Sequence, residues 1–169
     1  MTDTYIALYA TGQRGRYHWA LVLPATPGGA LGRTGNIFQV RLRGQWTKAH
    51  YNNVDLLQSS TFLCVIRLPP VNDVSRAHQI ASNEDPGQGN TPLLWMHSQS
   101  GQGWSCAQWI IRLMRTFIAE GIMTNSLTAG AKDNGANFYL QICGLGAKAE
   151  EDQNAGEVVD GVRVLTWNA

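Results

Sequence analysis

The chain has 169 residues, with Lys+Arg 13 against Asp+Glu 12 and a formal net charge of +1. A single core can grow to roughly 150 residues or a little more before a chain divides, so residues 1–169 are expected to form one domain with a sizeable core. Near-zero charge argues against nucleic acid or an anionic membrane surface as the partner, because both are held largely by excess positive charge. Apolar residues at 44% and charged residues at 15% exclude general disorder. No run approaches the ~18 apolar residues of a membrane span, and Met1 to Tyr5 lacks the basic start of a secretory signal. A cytoplasmic location is the expectation.

Two apolar runs, Thr4 to Ala10 and Tyr17 to Leu23, flank a glycine-containing segment and predict a β-hairpin. After a Gly/Pro-rich stretch from Pro24 to Gly35, Ile37 to Arg43 alternates apolar and polar residues as one strand with a polar face. Further strand signal lies at Trp46 to Val54 and at Thr61 to Leu68, the latter expected to stop at Pro69-Pro70. Val74, Ala77, Ile80 and Ala81 fall at helical spacing behind Asp73, an acceptable N-cap. Residues 86–103 read as a loop, with a short buried strand possible at the apolar Leu93 to Met96. Ser105 to Glu120 is the clearest helix, stopped by Gly121. Asp133 to Asp152 has weaker helical spacing, interrupted by Gly144 and Gly146, and Val162 to Trp167 alternates as a strand. The pattern is α+β, mostly sheet in its first half.

The start of the 105–120 helix carries the chemistry. Ser105 and Gln108 match the S-x-x-E/Q capping box, with Trp104 and Trp109 at the staple positions. Cys106 is then the first helical residue, where unpaired N–H groups and the helix dipole favour a thiolate and predict a depressed pKa. Its alternative is a small buried hydrophobe. Cys64, Cys106 and Cys143 are an odd number at wide spacing, which fits neither a disulfide framework nor a CxxC site. A nucleophilic cysteine needs a base. His18 lies in the otherwise apolar Tyr17-His18-Trp19-Ala20-Leu21-Val22-Leu23, where an imidazole needs a hydrogen-bond partner, while His50 and His78 sit among polar neighbours and read as solvated. His97 could serve only if the 86–103 loop folds back. Gln39 could lie on an adjacent strand within reach of His18, or be an exposed strand residue. Glycines at 87, 89, 101 and 103 do not make a dinucleotide fingerprint, and no metal-ligand cluster is apparent, so no cofactor or metal is expected. Of six tryptophans, Trp104 and Trp19 are candidates for substrate contact.

An early strand with H-W-A-L-V-L (His18 to Leu23), a later Gln39, and W-S-C-A-Q-W-I (Trp104 to Ile110) resemble the circularly permuted papain-like group. That group holds permuted NlpC/P60 proteins, lecithin retinol acyltransferase-like enzymes with H-W and N-C-E-H motifs, and fungal proteins reading roughly Y-H-W-A and W-N-C-x-x-W-V. In it the histidine strand precedes the cysteine helix, as here. The resemblance spans about residues 17–121 and implies an antiparallel sheet packed on the cysteine-bearing helix. It implies Cys106 as nucleophile, His18 as base and Gln39 as the residue orienting the imidazole, with His18 and Gln39 on adjacent strands facing the start of the 105–120 helix. Gln39 stands where relatives often have histidine, and Ser105 where asparagine is common. The implied activity is a cysteine-dependent hydrolase (peptidase or amidase) or an acyl/amide transferase working through a thioester on a small-molecule, peptide or acyl substrate. The alternative is a non-catalytic binding protein with a Trp-lined cleft for a small molecule, glycan or peptide.

Overall fold

The computed structural model describes residues 1–124, 127 and 135–168. A seven-stranded sheet runs in the order β6-β3-β2-β1-β7-β9-β8, and a separate ribbon pairs β4 with β5. The strands are β1 (Thr2–Ala10), β2 (Tyr17–Leu23), β3 (Thr34–Phe38), β4 (Val40–Arg43), β5 (Gln45–Lys48), β6 (Tyr51–Asp55), β7 (Phe62–Val71), β8 (Glu157–Val159) and β9 (Val162–Thr166). The architecture is α+β with a large antiparallel sheet, as expected, and the one departure is the parallel pairing of β7 with β9. The helices are α1 (Val74–Asn83), α2 (Trp95–Ser100), α3 (Cys106–Ala119) and α4 (Ala136–Glu151). Among the described residues no helix is long and apolar enough to cross a membrane.

Period-two alternation divides the sheet into two faces. Ile6, Leu8, Trp19, Leu21, Leu23, Cys64, Ile66 and Leu68 pack with residues of α1, α3 and α4 in the larger core. Tyr5, Ala7, Ala20, Val22, Ile37 and Val65 form a second cluster on the other face, closed by Leu31, Leu56 and the β9 valines. The apolar runs of β1, β2 and β7 thus reflect strands covered on both sides. α3 seats Trp109, Ile110, Leu113 and Phe117 fully buried against the sheet, each contributing about 1.5–3 kcal/mol by its burial. Asp73 caps α1 by accepting from the Arg76 N–H, and Gly121 ends α3 at φ 73°.

Four expectations are corrected. The strand foreseen over 37–43 breaks at Gln39 into β3 and β4, which join different sheets. Pro69-Pro70 does not stop β7: pairing with β9 has ended by Arg67, and a register shift on β1 between Thr2 and Thr4 relieves the other side, so the missing N–H groups interrupt no regular ladder. Residues 95–100, foreseen as loop or strand, form α2, with Leu94 buried ahead of it and Trp95 72% exposed. Gly144 and Gly146 do not interrupt α4, and Gly146 permits its close packing on the sheet. A Cβ there would lie 2.6 Å from Tyr17 Cε2 and 2.9 Å from Leu8 Cδ1. α4 starts at Ala136; residues 133 and 134 of the expected helix lie outside the described residues.

Candidate functional site

Ser105 caps α3 as its sequence implies, its Oγ accepting from the Gln108 N–H at 3.2 Å. The reciprocal half of the capping box does not form. Gln108 is buried, donates through Nε2 to Gly103 O at 2.7 Å and accepts at Oε1 from the Leu94 N–H at 2.9 Å. It therefore ties the preceding loop to the start of α3. Trp104 and Trp109 anchor the same region, donating from Nε1 to Pro86 O and Asp85 O. Arg112, on α3, completes the clamp: its guanidinium donates to Glu84, Asp85 O, Gly87 O, Gln88 O and Thr91 and lies 4.8 Å from the Trp104 ring. The position of Cys106 is thus fixed from several directions.

β3 pairs with β2 only at Leu21 to Leu23, and the chain then turns away through Gln39 into the β4–β5 ribbon. This opens a gap beside residues 17–20 of β2. Cys106 fills it, with Sγ accepting a hydrogen bond from the Trp19 N–H at 3.4 Å. The thiol occupies a place where a β3 carbonyl would otherwise satisfy that amide. Half-buried, Cys106 borders a cavity of about 310 Å³ shared with His18, Arg41, Arg43 and Trp46. On its other side lies a cavity of about 440 Å³ bordered by Trp104, Ser105, His97, Tyr139 and Arg16.

His18 and Gln39 are brought together: His18 Nε2 lies 2.5 Å from Gln39 Oε1. An amide oxygen only accepts, so Nε2 carries the proton and the lone pair sits on Nδ1. Gln39 is 3% exposed, which removes its reading as a solvated strand residue. Its backbone N–H donates to His50 Nδ1 at 3.0 Å. His50, foreseen as solvated, packs between Phe38 and Trp109, and its Nε2 is buried without a partner among the described residues. Sequence reasoning missed it because its neighbours in the chain are polar, whereas its neighbours in space come from β3 and α3. His78, also foreseen as solvated, accepts at Nε2 from Asn36 and donates from Nδ1 to Val74 O.

Two expected features of the site change. Alternation on β2 turns His18 with Ala20 and Val22 away from the helical layer, and its ring lies 5.9 Å from Tyr9. His18 therefore does not face the start of α3 directly; it borders the Cys106 cavity through the gap left by β3. No hydrogen bond joins His18 to Cys106 among the described residues. The thiol pKa is also not depressed. Burial raises it, more than the N–H groups of Trp19, Ala107 and Cys106 itself lower it. Burial likewise lowers His18, against the Gln39 hydrogen bond that raises it. Both directions favour the neutral forms, so the resting pair is thiol and imidazole rather than thiolate and imidazolium.

The two tryptophans separate. Trp104 borders the larger cavity beside Cys106. Trp19 is fully buried, stacked on Tyr139 at 5.6 Å and edge-on to Phe138, so its ring is core and not a substrate contact. Its backbone N–H is its contribution to the site. His97 does fold back to the Cys106 cavity, 2% exposed, with its ring 4.7 Å from Tyr139. Cys64 and Cys143 are buried and border neither cavity, and burial pushes their thiols up to about 12 and about 11. Among the described residues no group of three or more His, Cys, Asp or Glu side chains is placed to hold a metal ion.

No curated protein and no solved structure matches the chain. A family model does match, over residues 4–124, the stretch from β1 to just beyond α3 that contains Cys106, His18, Gln39, His50 and Trp104. The chain belongs to that family, DUF6540, a family of unknown function.

Proposed function

We propose that this protein has a circularly permuted papain-like fold and is a cysteine-dependent hydrolase or acyl/amide transferase working through a thioester. The observation that carries the reading is the placement of Cys106 Sγ against the Trp19 N–H, one residue from His18, whose Nε2 is held by Gln39. The order of the histidine strand and the cysteine helix, the capped first turn of α3 and the cavity shared by both side chains support it.

The neutral resting pair sets the mechanism. As Sγ attacks the carbonyl carbon of R–CO–X, its proton passes to His18 Nδ1 and the S–C bond forms. In this reading the Cys106 and Ala107 N–H groups, which neither the cap nor the helix ladder uses, are the donors that stabilise the developing oxyanion. His18 then returns the proton to X as the C–X bond breaks, leaving a thioester on Cys106. Water, or an amine in the transferase case, attacks that thioester as His18 accepts its proton; the S–C bond then breaks and His18 returns the proton to Cys106 Sγ. Gln39 holds the tautomer throughout.

The test is a panel of peptide, amide, ester and thioester substrates read by intact-protein mass spectrometry for the acyl-enzyme. Cys106→Ala and His18→Ala should each abolish turnover, and the double variant should be scarcely worse than either single one, because the two act as a unit. Full turnover by Cys106→Ser would overturn the assignment. A binding protein on the same scaffold is favoured by one observation, the Trp104-lined cavity of about 440 Å³ beside the thiol. It requires ligand affinity to survive Cys106→Ser and to fall on replacement of Trp104.

A further inference from the structure

The chain as a whole is nearly neutral, with 13 cationic and 12 anionic side chains. The cavities around the candidate site are not. Arg41 and Arg43 border the one shared by His18 and Cys106, Arg41 also borders the adjoining one on the His18 side, and Arg16 borders the one beneath Trp104. No aspartate or glutamate borders any of the three. Elsewhere Arg14, Arg33, Arg67, Arg76 and Arg112 each meet a carboxylate, and Arg163 donates to Ala155 O. The cavity arginines do not. Among the described residues, the side-chain partner of Arg16 is the neutral Gln13 Oε1, at 3.4 Å, and Arg41 and Arg43 make no ion pair or side-chain hydrogen bond. A guanidinium is always charged and presents a planar fork of donors suited to a carboxylate or phosphate.

From this asymmetry we infer that the substrate carries an oxyanion, a carboxylate or phosphate close to its reacting carbonyl, which Arg41 and Arg43 receive on the β4–β5 ribbon while Cys106 meets the carbonyl. The inference rests on the thiol-dependent reading above and names the substrate class for that site. The break at Gln39 gives it a structural cause, since the same turn that opens the sheet for Cys106 carries Arg41 and Arg43 alongside the gap. The field of Arg41 already reaches the site, where it lowers both His18 and Cys106.

The experiment compares alkylation of Cys106 by iodoacetate and iodoacetamide, which share a leaving group and differ in charge, in the full-length protein at alkaline pH. The ratio of the two rates is normalised to that of a small free thiol. With the arginines in place, the normalised ratio should favour the anionic reagent about tenfold at low salt. It should fall away near 1 M salt, where the screening length is about 3 Å. Arg41→Gln with Arg43→Gln should return it to that of the free thiol, while Arg33→Gln, a remote control, should leave it raised. A ratio equal to that of the free thiol in the unaltered protein overturns the inference and leaves the thiol reading intact. If Cys106 resists both reagents, the thiol reading falls and melting temperature decides the anion site. A rise with inorganic phosphate or with succinate that the double substitution removes supports it, and whichever anion acts separates phosphate from carboxylate. Identical melting in both and in a control buffer overturns it.

Discussion

Replacing Gln39 tests the site without any substrate. Its Oε1 lies 2.5 Å from His18 Nε2 inside a buried contact, so Gln39→Glu would set a carboxylate against the imidazole with almost no change in shape. An opposite charge at such range stabilises the protonated ring by about 1–3 pKa units, or roughly 1.4–4 kcal/mol. His18 begins below its ordinary value because burial outweighs the Gln39 hydrogen bond. Gln39→Glu should therefore raise its titration midpoint, and Gln39→Ala, which removes the raising contribution, should lower it further. The Ala variant also leaves a largely buried ring nitrogen without its acceptor, costing about 1–3 kcal/mol. For a chain of this size that is about 2–12 °C in melting temperature. The assay is NMR titration of the imidazole C–H signals, with His18→Gln used for assignment, beside thermal melts. A His18 midpoint unmoved in Gln39→Glu would refute the contact and, with it, the orienting role of Gln39.

Acid should destabilise the fold. Burial lowers His18, His50 and His97, so stability is complete above the unfolded value near 6.5 and is lost as pH falls toward the depressed folded values, by up to ~1.4 kcal/mol per pH unit for each imidazole. Denaturant unfolding between pH 8 and pH 5 measures this, and a flat profile would contradict it. Gly146→Ala should cost about 1–3 kcal/mol by overpacking, because the new Cβ would press on Leu8 and on Tyr17, whose hydroxyl is held by Glu150; an unchanged melting temperature would show that α4 does not approach β1 and β2 so closely. Iodoacetamide should modify Cys106 before the buried Cys64 and Cys143, at a rate that climbs above the pH of an ordinary thiol because burial raises it. Equal, slow labelling of all three cysteines, mapped by mass spectrometry, would count against the half-buried position of Cys106 at the cavity.

Local rules determined a good deal of this protein from sequence alone. Asp73 and Ser105 cap helices because a short oxygen-bearing side chain before an apolar periodic run satisfies an N–H that the helix leaves unpaired. The first hairpin and the helical spacing of α3 are equally local, and Cys106 at the first turn follows from them. The partnership of His18 with Gln39 was legible as a need, because an imidazole in an apolar strand requires an acceptor. What the sequence did not determine depends on which segments meet. Gln39 reads as part of one continuous strand, and only the departure of the β4–β5 ribbon shows that the chain breaks there to admit Cys106 to the edge of β2. The strand parity of His18 decides nothing until that gap exists. The direction of the thiol shift was misjudged for the same reason: the helix start favours a thiolate, but the burial that opposes it comes from the packing of distant strands around the thiol. The parallel pairing of β9 with β7 and the approach of Gly146 to Tyr17 are likewise contacts between residues far apart in the chain, which periodicity cannot encode and only the packed tertiary structure settles.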